Sequence, residues 1–117
     1  VGVPIDPSNQ KRALLLLEAA GIQNPRIKEL EAAQLPRALD DLDIAAINTN
    51  YAIPAGLVPS TDALLLESKD SPYANIVVVR EGEQNQIKYQ QLMQALHSEA
   101  VKAKAEALFS NQAVVAW

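Results

Sequence analysis

The sequence contains no cysteine and a single histidine, His97. Without cysteine the chain cannot form a disulfide, a thiolate metal site or a cysteine nucleophile. One histidine also excludes a histidine-rich metal site within one chain. Aromatic residues make up only 4% of the 117 residues, so the core has to be built from Leu, Val, Ile and Ala. We therefore predict no bound metal and no cofactor.

Strong charge and long apolar runs are also lacking. The net charge is −4 and hydrophobic residues make up 49% of the chain, which is typical of one folded domain. A mildly acidic chain is repelled by nucleic acid and by anionic lipid, so no nucleic-acid partner is expected. No run reaches the about 18 apolar residues that cross a bilayer. The first residues form a strand-like run with no signal peptide before it, which favours an internal fragment or a processed form.

Strand-like runs alternate with helical patterns along the first two thirds of the chain. Strands are expected at 1–5, 26–31, 44–47, 63–66 and 76–80, and helices at 12–20, from 34, at 49–55 and, as a pair, from 84 onward. Gly21 is a natural stop for the first helix, and Ser98 is a plausible N-cap between the last two. This alternation predicts an α/β fold with a mainly parallel sheet flanked by helices. We divide it into an α/β ligand-binding lobe, 1–81, and C-terminal helices and tail, 82–117.

Residue patterns typical of enzymes are missing. The four glycines are scattered, so there is no glycine-rich phosphate loop. His97 lies among ordinary helix formers, and the adjacent acids Asp40 and Asp41 do not face each other on a helix. We therefore predict that the chain is not an enzyme.

Polar residues at the ends of predicted strands are better candidates for function. Arg12 lies early in a helix that follows a strand, where a guanidinium can hold a carboxylate with two hydrogen bonds. Asn48 directly follows a buried strand, and ligands of open α/β sheets bind beyond such carboxyl ends. Asn75 precedes the strand at 76–80. Taken alone, Arg12 could equally face solvent, the two asparagines could form turns, and Tyr51 could be a packing residue.

Three long blocks of sequence carry a resemblance to a known family. They are DPSNQKRALLLLEAAGI (6–22), IKELEAAQLPRALDDLDIAAINTNYA (27–52) and ESKDSPYANIVVVRE (67–81), and the final AVVAW matches as well. Together they resemble the D-methionine-binding lipoprotein (NlpA) family of ABC-importer substrate-binding proteins. The chain looks like the second lobe and C-terminal tail of such a protein, with a fold like that of type II periplasmic binding proteins.

The resemblance implies a function and a location. Members of this family have two lobes, capture methionine or a related amino acid or dipeptide between them, and deliver it to an ABC permease. They reside in the periplasm or cell envelope, anchored through an N-terminal lipidated cysteine that this chain does not contain. By motif position, Arg12 would hold the ligand carboxylate, Asn48 and Asn75 would bind its backbone groups, and Tyr51 is a further candidate.

The C-terminal helices suggest an alternative. If they normally pack on another lobe, in this chain they would leave apolar surface exposed and favour a homo-oligomer. The chain would then be a structural or self-association module without tight ligand binding.

Overall fold

Two short parallel strands form the sheet. In the computed structural model, which describes residues 1–117, β1 (Gly2–Pro4) pairs with β2 (Lys28–Leu30), and Val3 lies opposite Glu29. These strands lie within the predicted segments 1–5 and 26–31. The parallel pairing requires a crossover connection between the strands, and the first helix provides it.

A third chain segment continues the sheet on the other side of β1. An isolated parallel bridge joins Gly2 to Ala45. The Gly2 N–H donates to the Ile44 carbonyl at 2.9 Å, and the Ala46 N–H donates to the Gly2 carbonyl at 2.9 Å. β1 is therefore central, which explains why Val3 is fully buried. The strand predicted at 44–47 is present only as this bridge.

Helix α1 (Pro7–Ala19) connects the two strands. Asp6 caps it, since its side chain accepts a hydrogen bond from the Asn9 N–H at 2.9 Å. This cap and the proline at the first helical position let the helix start before Arg12, the residue at which we expected it. The helix ends just before Gly21, whose φ of +73° is a left-handed conformation that favours glycine. The predicted stop is confirmed.

Short helical turns complete the first half of the chain. They are α2 (Leu35–Ala38), α3 (Thr49–Ala52), α4 (Pro59–Asp62) and the 3-10 turns Ala32–Gln34, Leu39–Asp41 and Ile53–Ala55. The buried hydrophobic side chains all belong to this half and are Val3, Ala13, Leu35 and Ala52. The fold class is thus α/β, with helices around a small parallel sheet, as predicted.

The chain divides into two units, Val1–Glu67 and Ser68–Trp117. The second unit holds α5 (Ile87–Leu96) and α6 (Glu99–Leu108), and none of its side chains is buried. Ser98 caps α6 by accepting from the backbone N–H three residues on at 3.4 Å, which confirms its predicted role. The division falls earlier than the 81/82 boundary that we derived from the sequence, and that functional boundary stays a prediction. No helix is both long and apolar enough to cross a lipid bilayer.

Two predicted strands are wrong. Residues 63–66 and 76–80 form no strand, although their composition is typical of one. Leu64 is 90% exposed, and Ile76 and Val78 are 78% and 79% exposed. The tendency of β-branched and aliphatic residues to form strands depends on packing and on a neighbouring strand that satisfies the backbone. Neither run has such a neighbour.

Candidate ligand-binding site

The candidate site lies beyond the carboxyl ends of the parallel strands. The loop after β1 leads into α1, and the segment that bridges to Gly2 leads to Asn48. Because parallel strands deliver their ends to one edge of the sheet, these two connections meet. The Asn48 Nδ2 donates to the Asn9 Oδ1 at 3.0 Å. The side chain of Asn48 is therefore held against the first turn of α1.

Asn9 is itself held in place. Its Nδ2 lies 3.1 and 3.2 Å from the two carboxylate oxygens of Asp6, the residue that caps α1. A single chain of hydrogen bonds thus runs from Asp6 through Asn9 to Asn48. The cap that starts the helix also positions a predicted ligand-binding residue.

Arg12 lies one turn after Asn9 on the same face of α1, since residues three apart are neighbours on a helix. Its Nε donates to both carboxylate oxygens of Glu67, at 2.8 and 2.7 Å, and its Nη2 donates to Oε2. The side chains remain 36% and 24% exposed. Arg12 therefore holds a carboxylate with several charge-assisted hydrogen bonds, at a place that solvent reaches.

The other two predicted residues occupy different surroundings. Tyr51 lies in α3, 37% exposed, and its backbone N–H donates to the Asn48 carbonyl at 2.9 Å. Asn75 lies in the second unit, exposed and on irregular backbone. The structure thus groups Arg12, Asn48 and Tyr51 within the first unit, and the ligand-binding roles of all four residues remain predictions.

Two residues of this site were missed from the sequence. Asn9 could have been found, because it precedes Arg12 by three positions and so shares its helix face. Glu67 carried no local signal, since it lies in an irregular segment 55 residues from its partner. No group of three or more His, Asp or Glu side chains is arranged to hold a metal ion.

Comparison with known proteins defines the class to which this α/β fold belongs. The pattern of the NlpA lipoproteins matches residues 22–117. The chain belongs to the NlpA lipoprotein family, as the sequence blocks indicated.

Particular relatives narrow this further. The D-methionine-binding lipoprotein MetQ of Escherichia coli K12 is 40% identical over 139 aligned positions, which cover 100% of this chain and 51% of the relative. Outer membrane lipoprotein 3 of Mannheimia haemolytica is also 40% identical, over 100% of this chain and 52% of its own length. The chain therefore spans about half the length of these curated relatives.

Solved structures show the same relation. An ABC-transporter periplasmic substrate-binding protein from Coxiella burnetii superposes with a TM-score of 0.80 at 52% identity, over 92% of this chain and 54% of that one. A nutrient-binding protein from Burkholderia cenocepacia, solved bound to methionine, superposes with a TM-score of 0.80 at 42% identity, over 93% and 55%. The expected likeness to periplasmic substrate-binding proteins is confirmed.

Proposed function

We propose that this chain forms the part of a methionine-type substrate-binding protein that holds the ligand's carboxylate and backbone polar groups, and that it serves an ABC importer. The observation that carries the proposal is the Arg12 guanidinium, which grips a carboxylate group at the edge of the sheet. The α-carboxylate of an amino acid offers the same two oxygens. Relatives that are named as methionine-binding lipoproteins and ABC-transporter proteins support this assignment.

In this proposal the side-chain amides of Asn48 and Asn75 form hydrogen bonds with the other backbone groups of the ligand. Asn48 presents an amide that is already oriented by Asn9. Asn75 adds a second amide, and Tyr51 adds a partly exposed aromatic side chain. None of these groups is an acid–base pair or a nucleophile, so the site binds and releases its ligand unchanged. The lipoprotein names of the relatives and the periplasmic neighbour from Coxiella burnetii support a periplasmic or cell-envelope location.

The test is a titration of the full chain with L- and D-methionine, followed by NMR of the backbone and arginine side-chain amides. A cleft that covers one side of a ligand supports a dissociation constant of about 1 mM, or about −4 kcal/mol. Arg12→Ala removes a charge-assisted bond worth about 1.5–3 kcal/mol and should abolish measurable binding. Lys11→Ala removes the same charge from the adjacent exposed position and should leave binding intact. Equal affinities of the two variants would rule Arg12 out of this role.

A second candidate is self-association through the C-terminal helices. Val101 and Leu108, seven residues apart, share one face of α6, and they are 40% and 61% exposed. Ile87 on α5 is 71% exposed. A second copy of the chain that packs on these helices would bury this apolar surface.

Light scattering after size exclusion tests this candidate. The chain should elute as a dimer, and Leu108→Glu should convert it to a monomer. Glu106→Gln, a charge change on the same helix, is the control that should leave the dimer intact. A wild-type chain that is monomeric at high concentration contradicts the self-association candidate.

A further inference from the structure

The Glu67 carboxylate occupies the Arg12 hydrogen-bond donors that a ligand carboxylate would use. Both of its carboxylate oxygens accept hydrogen bonds from the Arg12 Nε, and Oε2 accepts one from Nη2 as well. An incoming carboxylate that used the same donors would meet a second negative charge at contact distance. Like charges at such a distance disfavour each other, so the two carboxylates compete for one guanidinium.

The segment that leads to Glu67 is only loosely held in the structure. Residues 64–66, which precede it, make no backbone–backbone hydrogen bond. Leu64 is 90% exposed and Leu66 is 52% exposed, so little apolar contact holds this segment down. The ion pair is also partly exposed, at 36% and 24% for its two side chains. Water screens a partly exposed pair and solvates both charges when the pair opens, so a ligand carboxylate that forms the same hydrogen bonds to Arg12 can replace that of Glu67.

We infer that Glu67 is a specificity-determining residue that occupies Arg12 in the ligand-free protein and is displaced by the carboxylate of the ligand. This inference rests on the proposed role of Arg12. A ligand can form the ion pair with Arg12 only if it has a free carboxylate that replaces the carboxylate of Glu67. An amide or ester of the same amino acid cannot replace the charge of Glu67, so it leaves the Arg12–Glu67 pair closed. Glu67 thereby selects free α-amino acids and peptides with a free C-terminus.

The experiment compares the full chain with Glu67→Gln by NMR, with the Arg12 Nε–H resonance as the readout. Acetate probes the carboxylate subsite alone, methionine probes the whole site, and methioninamide lacks the competing charge. Glu67→Gln should bind acetate and methionine about fivefold more tightly, the factor set by loss of one partly exposed ion pair. Its interaction with methioninamide should not change.

Two further variants test whether the change in affinity depends on the position and length of the Glu67 side chain. Glu18→Gln makes the same charge change on an exposed position of α1 and should leave all three affinities unchanged. Glu67→Asp keeps the charge on a shorter side chain and should give affinities between those of the wild type and Glu67→Gln. A thermal melt of each variant verifies that the fold is retained.

The outcomes separate this inference from the proposed function. If the wild type binds methionine and Glu67→Gln binds it equally well or more weakly, the inference is overturned and the proposed function stands. If Glu67→Gln binds acetate more tightly but no variant binds methionine, the competition at Arg12 is supported and the methionine function fails. If neither the wild type nor Glu67→Gln binds acetate or methionine, both are overturned.

Discussion

Truncation of Leu35 should cost this protein a large part of its stability. Leu35 and Val3 are the largest fully buried side chains in the chain, and Leu35 has no exposed surface. A buried Leu→Ala substitution costs about 3–5 kcal/mol through lost burial and the cavity left behind. A domain of this size is stable by only about 5–15 kcal/mol. With an m-value of about 2 kcal/mol/M, the urea midpoint should fall by about 2 M.

Urea unfolding followed by far-UV circular dichroism measures this shift, and Leu64→Ala supplies the matched control. Leu64 belongs to the same unit but is 90% exposed, so its truncation should change stability by less than about 0.5 kcal/mol. Equal falls in the urea midpoint for the two leucine variants would contradict this expectation. That result would mean that Leu35 does not lie in a packed core.

Two further substitutions test the close approach at β1 and the cap of α1. Gly2→Ala would place a Cβ 2.5 Å from the Leu42 Cδ1 and 2.9 Å from the Leu35 Cδ2. We therefore expect the free energy of unfolding to fall by about 1–3 kcal/mol. An unchanged urea midpoint would contradict the tight packing at Gly2. Asp6→Ala removes the helix cap and the hydrogen-bond partner of Asn9, and should lower the stability measured by thermal unfolding by about 1 kcal/mol. Asp6→Asn can still accept a hydrogen bond from the Asn9 N–H and should recover most of that stability. Equal losses of stability in both variants would argue against the cap.

The parts of the fold that were predictable depend on short-range signals. Gly21 after a leucine-rich run and Ser98 before α6 mark helix ends through local backbone chemistry, which acts within a few residues. The strands expected at 63–66 and 76–80 failed because a strand is completed by a neighbour that the local sequence does not contain. Their exposure shows that composition alone does not bury a segment.

The residues of the candidate site also differ in whether the sequence reveals them. Arg12 and Asn48 could be singled out because each follows a strand of the parallel sheet, and the topology of the fold carries such residues to one edge. The hydrogen bond from Asn48 to Asn9 and the pairing of Arg12 with the Glu67 carboxylate depend on the three-dimensional path of the chain. The sequence therefore indicated that Arg12 could bind a carboxylate ligand. It did not indicate that the Glu67 carboxylate already pairs with Arg12.

The central position of β1 also governs how the protein folds. Gly2 forms its hydrogen bonds with Ile44 and Ala46, and Lys28 donates to Val1 at 2.8 Å, so each side of β1 closes a long loop. Loop closure has to be completed before these contacts stabilise the chain, so we expect the sheet to form late in folding. The ends of the sheet position Arg12 and Asn48, so we expect their arrangement and the slowest-exchanging amides to emerge in the same folding step. The loosely held approach to Glu67 should be the first part of the unit to open.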